Sequence, residues 1–445
     1  MTRAAAMLVC MMVLVIPCRA QTPFIGDYDA ELRDGDHVDC ELMVQRLQEL
    51  GANTYMWLIW HSPNDWEDLH EFLPLAAEAD ITVWVYLVPP SESTITHEQF
   101  PYSEPFRLDY VRWAEEIAKL SLEHENLVGY VIDDFWGNVT PRWFTPESIQ
   151  AMVDAGRAIN PEIKFYPLMY FNQIGPRFVQ MLGTVVDGVV AAYPRNPEAV
   201  ERALTWLSGE FAVPPQGSVS YPWDTASRAG DFGFLRQTVR VLDAEVASLT
   251  FGFSDDFDGP TEGYHMMQAR VDDEVVWEED VAGEDEGEVT LDLSEDVAGK
   301  DEITLSLGIF DRTGVGNFGV TATFSDLQAE GLELADMTAA DAWTESVRGS
   351  FVTAASPPWE PEEPIDLPLI LMPSGSRGAY EKRNGEPATP ELIAARYQMC
   401  LQFVREGAVE GVVSYCLDKT PGNEDFDAVR EVIAEFWRDF GAAAD

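Results

Sequence analysis

Lysine is nearly missing from this chain. Five occur in 445 residues (Lys119, Lys164, Lys300, Lys382 and Lys419), so arginine carries most of the positive charge. Against 28 basic residues stand 78 acidic ones, a formal net charge of −50. That balance argues against a nucleic-acid partner, whose phosphates would be repelled. It suits a surface that must stay hydrated in salt, which points to a saline setting. Cysteine is almost as scarce. Cys40, Cys400 and Cys416 are the ones beyond the first twenty residues, an odd count that argues against a disulfide framework. They lie too far apart in sequence to suggest a zinc site, and neither a metal nor a cofactor is expected. The apolar run Ala4 to Pro17 is too short to span a bilayer. With Arg3 before it and Cys18-Arg19-Ala20 before Gln21, it reads as a secretory signal over residues 1–20. The mature chain is then secreted or periplasmic, and no other segment has the character of a membrane span.

Familiar catalytic signatures are missing too: no nucleophile-elbow serine, no zinc-protease helix, no P-loop. Gly314-Val315-Gly316-Asn317-Phe318-Gly319 matches a dinucleotide fingerprint by letter, but it leads into the strand-like run Val320 to Phe324. Without a following helix the fingerprint has no mechanism, and it reads as a turn. The acidic run Asp255 to Gly259 lacks the spacing of a full calcium loop.

What is present is a rhythm. Apolar runs predict strands at 24–29, 53–60, 82–88, 127–132, 164–171 and 185–193, each followed by a segment of helical spacing. The rhythm stops at about residue 213. From there to residue 360 the chain shows alternating or β-branched runs separated by glycine and aspartate turns, which predicts six antiparallel strands in a jelly-roll-like sandwich. Strand–helix units then resume at 367–372 and 411–417. Six units before the interruption and two after it predict a (β/α)8 TIM barrel over 21–212 and 361–445, interrupted between helix 6 and strand 7 by the sandwich of 213–360. The two barrel spans approach the usual length of that fold, about 250 residues.

Barrel active sites lie at the C-terminal ends of the strands. Read that way, the rim carries Asp27, Asp29, Trp60, His61, Tyr86, Glu92, Asp133, Asp134, Trp136, Tyr170, Asn172, Tyr193, Arg195, Ser374, Arg377, Tyr415 and Asp418. Asp29 and Arg377 read most readily as ordinary cap or loop residues. Carboxylates, amides and tyrosines mixed with tryptophan suit a polyhydroxylated ligand, whose rings stack on aromatics while its hydroxyls bond to polar groups. The centre is Leu127 to Asn138, where a buried-strand pattern ends abruptly in Asp133-Asp134-Phe135-Trp136. Paired carboxylates cleave glycosidic bonds, one protonating the leaving oxygen and the other acting as nucleophile or base. Mutual repulsion raises the pKa of one of them and keeps an acid protonated near neutrality. Neighbouring strand residues point to opposite faces, so both aspartates reach one cleft only where the strand has ended or bulged.

The eight-unit pattern with rim carboxylates resembles the barrel glycoside hydrolases. Its Asp-Asp-Phe ending is similar to the Asp-Asp pair of the O-GlcNAcase-like β-hexosaminidases. In that family the first aspartate positions the substrate's acetamido group and the second is the acid/base. The resemblance thus implies those roles for Asp133 and Asp134, with Asn172 as a supporting ligand. The chain departs from the family in lacking the small α/β domain that usually precedes the barrel, and in its interrupting sandwich. The expectation is a secreted glycoside hydrolase with Asp134 and Asp133 catalytic. Asp27, Trp60, His61, Tyr86, Trp136, Tyr170, Asn172, Tyr193, Tyr415 and Asp418 are expected to bind the carbohydrate. The alternative is a non-catalytic carbohydrate-binding protein on a degenerate barrel. In its favour, strand seven ends in Met372-Pro373-Ser374, where many barrel glycosidases keep a glutamate.

Charge alone yields one test. At 1 M sodium chloride the Debye length shrinks to ~3 Å, so self-repulsion among the acidic groups is screened. The thermal midpoint rises between low salt and that concentration; a flat or falling midpoint would count against adaptation to salt.

Overall fold

A computed structural model describes residues 22–92, 103–140, 142–209, 211–221, 226–257, 262–283, 286–314, 319–356, 358–361, 365–384 and 387–444. The proposed signal segment lies outside the described residues. Eight parallel strands close on themselves: β1 (Phe24–Tyr28), β2 (Thr54–Ile59), β3 (Thr82–Leu87), β4 (Leu127–Ile132), β5 (Lys164–Tyr170), β6 (Val189–Ala192), β7 (Leu369–Met372) and β8 (Gly411–Tyr415). Each pairs with its neighbours in chain order, and β1 pairs with both β8 and β2 to complete the ring. The barrel rests on this strand pairing.

Alternation along each strand builds two cores. Met56 and Leu58 of β2, with Trp84 and Tyr86 of β3, point into the barrel, where they meet Tyr28, Val131, Tyr166, Leu168, Ile370 and Met372. Tyr55, Trp57 and Ile59, with Val83, Val85 and Leu87, point outward to the helices. At Gly26 a Cβ would stand 1.8 Å from the Thr54 carbonyl oxygen, so only glycine lets β1 and β2 approach as they do.

The helices start where capping side chains permit. Asp39 accepts a hydrogen bond from Leu42 N at the start of α1 (Cys40–Leu50), and Asp109 accepts from Arg112 N at α3 (Tyr110–Glu123); α2 (Asp65–Glu78) lies between them. Thr145 and Ser148 form a reciprocal capping box at α4 (Pro146–Arg157), with Pro146 in the first turn as its fixed φ allows. Next come α5 (Pro176–Leu182) and α6 (Pro197–Leu207). After the interruption follow α7 (Arg377–Asn384), α8 (Pro390–Arg405) and α9 (Glu424–Ala444). Helix α7 was not expected: its sequence RGAYEKRN has no apolar stripe to betray it. Among the described residues no helix is long and apolar enough to cross a membrane, and Cys40, Cys400 and Cys416 are free thiols.

The segment between α6 and β7 holds two antiparallel sheets. One runs in the order Glu286–Asp292, Ser248–Asp255, Val320–Glu330, Gln216–Tyr221, Val352–Ser356. The other runs Glu274–Asp280, His265–Val271, Glu302–Asp311, Phe232–Val241, Leu332–Glu333, with Thr344–Arg348 also paired to Phe232–Val241. Among the described residues the segment has eleven strands, more than the six expected from sequence. His265–Val271 and Glu274–Asp280 form a hairpin that turns at Asp272 and Asp273, both left-handed, where the alternation of Val271 to Trp277 with its acidic centre predicts a turn. Side chains of both sheets share one buried cluster, Phe251 and Phe324 of one meeting Leu307 and Ile309 of the other. The segment leaves and returns at nearly the same place, because Val213 and Trp359 exchange backbone hydrogen bonds of 2.8 and 3.0 Å.

A buried ion pair fastens the barrel seam. Asp27 of β1 was expected to bind ligand. Its neighbour Tyr28 fills the barrel interior, so Asp27 faces outward, fully buried, against Lys419 beyond β8. Ser414 Oγ and Leu417 N also donate to its Oδ1. Lys419 Nζ donates in addition to the carbonyls of Asp29 (2.7 Å) and Leu417 (3.1 Å). Removing one partner of such a pair strands the other charge in the core, at about 3–5 kcal/mol. Lys419→Met is therefore expected to lower unfolding free energy by that order in denaturant titration. A loss under 1 kcal/mol would show that the seam does not depend on the pair.

Candidate active site

A cavity of about 430 Å³ opens at the C-terminal ends of the barrel strands, and every strand or its following loop contributes to it. Its walls are Tyr28 and Asp29 after β1, Trp60 after β2, Val88 and Glu92 after β3, and Asp133 and Asp134 after β4. Leu168 and Tyr170 of β5, Ala192 and Tyr193 at the end of β6, Ser376, Gly378 and Ala379 after β7, and Tyr415 of β8 complete them. Four of these strand ends turn through left-handed backbone at residues other than glycine: Asp29 (φ 55), Asp134 (φ 41), Tyr193 (φ 58) and Cys416 (φ 54). Such conformations are strained for β-carbon-bearing residues and concentrate at functional sites. At Asp134 the turn ends the strand's alternation, so two consecutive carboxylates share one cavity.

The environments of the carboxylates differ. Asp133 accepts a hydrogen bond from the Asp134 backbone N–H at 2.8 Å. Burial, then the charge of Asp134, then that of Glu92 push its carboxyl well above the ordinary range, with the Tyr86 hydroxyl working the other way. Asp134 instead accepts a hydrogen bond from the Tyr170 hydroxyl. Glu92 is pushed up to about 7 by burial and then by the charge of Asp134. The cavity therefore holds carboxyl groups raised toward neutrality beside one that accepts a hydrogen bond from a phenol. Such a division of labour comes from environment alone.

Tyrosines frame these groups in an arc. Ring centroids are 4.0 Å apart for Tyr28 and Tyr86, 5.3 Å for Tyr28 and Tyr415, 5.2 Å for Tyr193 and Tyr415, and 6.1 Å for the stacked pair Tyr170 and Tyr193. Burial, followed by neighbouring acidic groups, raises Tyr28 and Tyr86 well above their usual range, so both remain hydrogen-bonding phenols. Trp60 lies beside His61 on the same side (5.4 Å). His61 is not itself a wall, but its Nε2 sits 2.9 Å from Asp29 Oδ1. Burial opposes the charge on Asp29, and the bond and charge of His61 overcome it and lower the carboxyl's pKa.

Of the expected residues, the structure thus gathers Asp133, Asp134, Trp60, Tyr170, Tyr193 and Tyr415 on the cavity, with Tyr86 and His61 against its walls. Four lie elsewhere. Asp27 is the buried partner of Lys419. Trp136 turns outward in a short 3-10 helix and packs edge-on against Phe178 of α5, 5.9 Å away. Asn172 donates to the Asp256 carbonyl in the sheet segment (3.0 Å). Asp418 accepts from Thr420 N and Asn423 Nδ2 in the turn before α9; these bonds outweigh its partial burial and lower its pKa. Among the wall residues that went unassigned, three carry polar groups beside the carboxyl cluster. Tyr28 was hidden inside its strand, Asp29 read as a cap, and Glu92 stood on the rim with no signal of a role beyond its place after Pro89-Pro90.

No family model matches the chain, and no curated protein does either. Among solved structures it is similar to a cycloisomaltooligosaccharide glucanotransferase of Paenibacillus sp. complexed with cycloisomaltoheptaose, at 12% identity and a TM-score of 0.28 over 69% of this chain and 57% of that one. It is also similar to a GH5_18 protein of Streptomyces cattleya in complex with Manb1-4GlcNAc (14% identity, TM-score 0.31, 42% of this chain and 58% of that one). A third is a type I 3-dehydroquinate dehydratase of Clostridium difficile (14% identity, TM-score 0.27, 42% of this chain and 70% of that one). The chain thus spans less than two thirds of the first two, and at these identities and scores the likenesses assign it no activity.

The raised Glu92 leaves a mark on stability. Its ordinary value is 4.5 and its folded value about 7, so the folded chain holds the proton more tightly than the unfolded one. Stability therefore falls as pH rises through that window. Glu92→Gln removes this contribution, and its thermal midpoint should gain on the wild type between pH 4.5 and 7. Parallel curves would show that Glu92 is not desolvated.

Proposed function

We propose that this chain is a secreted glycoside hydrolase that cleaves an oligo- or polysaccharide by carboxylate acid/base catalysis at the barrel rim. The observation that carries the reading is the convergence of Glu92, Asp133 and Asp134 in one tyrosine-framed cavity, with unlike environments around the three carboxyls. Glycosidic cleavage needs a protonated carboxyl at the leaving oxygen and an ionised one at the anomeric carbon or its water. Glu92 fits the first role, because it carries a proton up to about pH 7. Asp134 is placed for the second, on the same cavity as Glu92 and Asp133 and oriented by the hydrogen bond it accepts from the Tyr170 hydroxyl. Asp133 then steadies the turn through its bond to Asp134 N. The resemblance to the O-GlcNAcase-like β-hexosaminidases divides the work differently: Asp133 orients an acetamido group and Asp134 is the acid/base. In either division Trp60 and the tyrosines supply stacking faces and hydrogen bonds for sugar rings. We read residues 213–360 as a jelly-roll-like sandwich inserted in the barrel, 1–20 as the signal peptide, and 21–212 with 361–445 as the two parts of the catalytic domain.

Hydrolysis of a panel of marine and host polysaccharides, with product analysis, tests the activity. Glu92→Gln should lose about 10²–10⁴-fold in turnover on substrates with poor leaving groups. It should lose far less on an activated aryl glycoside, whose leaving group departs without a proton. Asp134→Asn should lose activity on both. If Asp134→Asn is the variant that spares the activated substrate, and a 2-acetamido group is required, the hexosaminidase-like division holds. No turnover of any glycan, together with saturable glycan binding, would establish the non-catalytic alternative.

A further inference from the structure

Beside the cavity, Asp29 and Glu31 after β1 meet His61 after β2. One ligand atom from each lies within 4.8 Å of the other two. Nε2 of His61 stands 2.9 Å from Oδ1 of Asp29. The Glu31 side chain is 2% exposed, and its Oε1 receives no hydrogen bond although it is buried. Its carboxyl meets that of Asp29, and burial, then the charge of Asp29 and the bond to it, push Glu31 well above the ordinary carboxylate range. Two buried carboxylates brought face to face need something positive between them.

The surrounding cations are already shared. Four carboxylates (Asp27, Asp29, Glu31 and Asp65) gather here against the cations Lys419 and Arg33. Lys419 pairs with Asp27. Arg33 lies 2.7 Å from Asp65 and 3.6 Å from Glu31.

We propose that Asp29, Glu31 and His61 form a divalent-cation site on the wall of the cavity. An imidazole among the ligands disfavours calcium and magnesium, which take oxygen throughout, and favours a first-row transition ion such as zinc. Around tetrahedral zinc, with bonds of about 2.0–2.2 Å, ligand atoms stand roughly 3.3–3.6 Å apart. The three ligand atoms, all within 4.8 Å of one another, stand near that spacing. Cys416 Sγ, 3.4 Å from Asp29 Oδ2, adds a soft atom at the edge of the site. Three protein ligands leave a fourth position open. Asp29 is a cavity wall, so water or a vicinal sugar hydroxyl can take that position. The site orients a ligand whether or not the chain hydrolyses it.

The test is metal binding by the full chain, stripped with chelator and re-equilibrated with zinc. Sodium chloride at about 0.5 M screens adventitious binding to the acidic surface. Counting metal by mass spectrometry and titrating by calorimetry should give one zinc per chain. Glu31→Gln, which keeps the shape of the side chain, and His61→Ala should each weaken binding by at least about 100-fold with unchanged circular dichroism. Asp418→Asn, outside the cluster, should bind as the wild type does. Cobalt in place of zinc should give visible bands that Glu31→Gln abolishes. No zinc retained above the stripped baseline would overturn the proposal, because the carboxyls would then share only a proton. Zinc binding that Glu31→Gln and His61→Ala leave untouched would overturn it too. Neither readout needs turnover, so failure here leaves the hydrolase reading standing.

Discussion

Lys419 is the point through which the rim is held. A closed barrel has one seam where the last strand meets the first, and the buried pair between Lys419 and Asp27 crosses it. The same ammonium donates to the Asp29 carbonyl, next to the left-handed turn that ends β1. Arg46 in α1 in turn donates to the Lys419 carbonyl at 2.7 Å and lies 3.9 Å over the Phe426 ring of α9. First strand, first helix, last loop and last helix are therefore tied at one buried charge. In a chain with five lysines, this one is placed where a flexible stem and three donors reach several acceptors at once.

With the seam fixed, the rim can concentrate charge. Carboxylates brought together in a low-dielectric cavity raise one another's pKa, and the arrangement persists only where donors single out the groups that stay ionised. His61 does this for Asp29, while burial and neighbouring charge raise Glu92 and Asp133, and the Tyr170 hydroxyl donates to Asp134. The phenols themselves are pushed up by the same burial and charge. The tyrosine arc is thus a set of neutral donors, suited to steady anionic groups without neutralising them.

Much of this was legible in the sequence, and the remainder was not for physical reasons. The strand–helix rhythm exposed all eight barrel strands, because buried parallel strands carry dense apolar runs. The abrupt end of β4 exposed Asp133 and Asp134. Parity was invisible: whether Asp27 or Tyr28 faces inward depends on the pairing of β1, and the outward residue became a structural ion pair. Trp136 misled in the same way, since a 3-10 turn swung it toward α5. Asn172 and Asp418 are polar residues whose bonds serve loops, and short polar side chains do this wherever chains turn. The strands at Gln216–Tyr221 and Val352–Ser356 escaped because serine, glycine and alanine give little β signal.

The end of β5 belongs to two structures at once. Tyr170 holds Asp134, and two residues later Asn172 holds the Asp256 carbonyl, whose own carboxyl accepts from Thr321 N in the sheets. Arg177, at the start of α5, reaches the Thr321 hydroxyl. The sheets are thus geared to the cavity through a few residues of backbone, far less than the length of a flexible tether. Tyr170 and Asn172, two residues apart, thus serve the cavity and the sheets respectively. A change in the turn after β5 would therefore be felt on both sides of it, at the cavity wall and at the edge of the sheets.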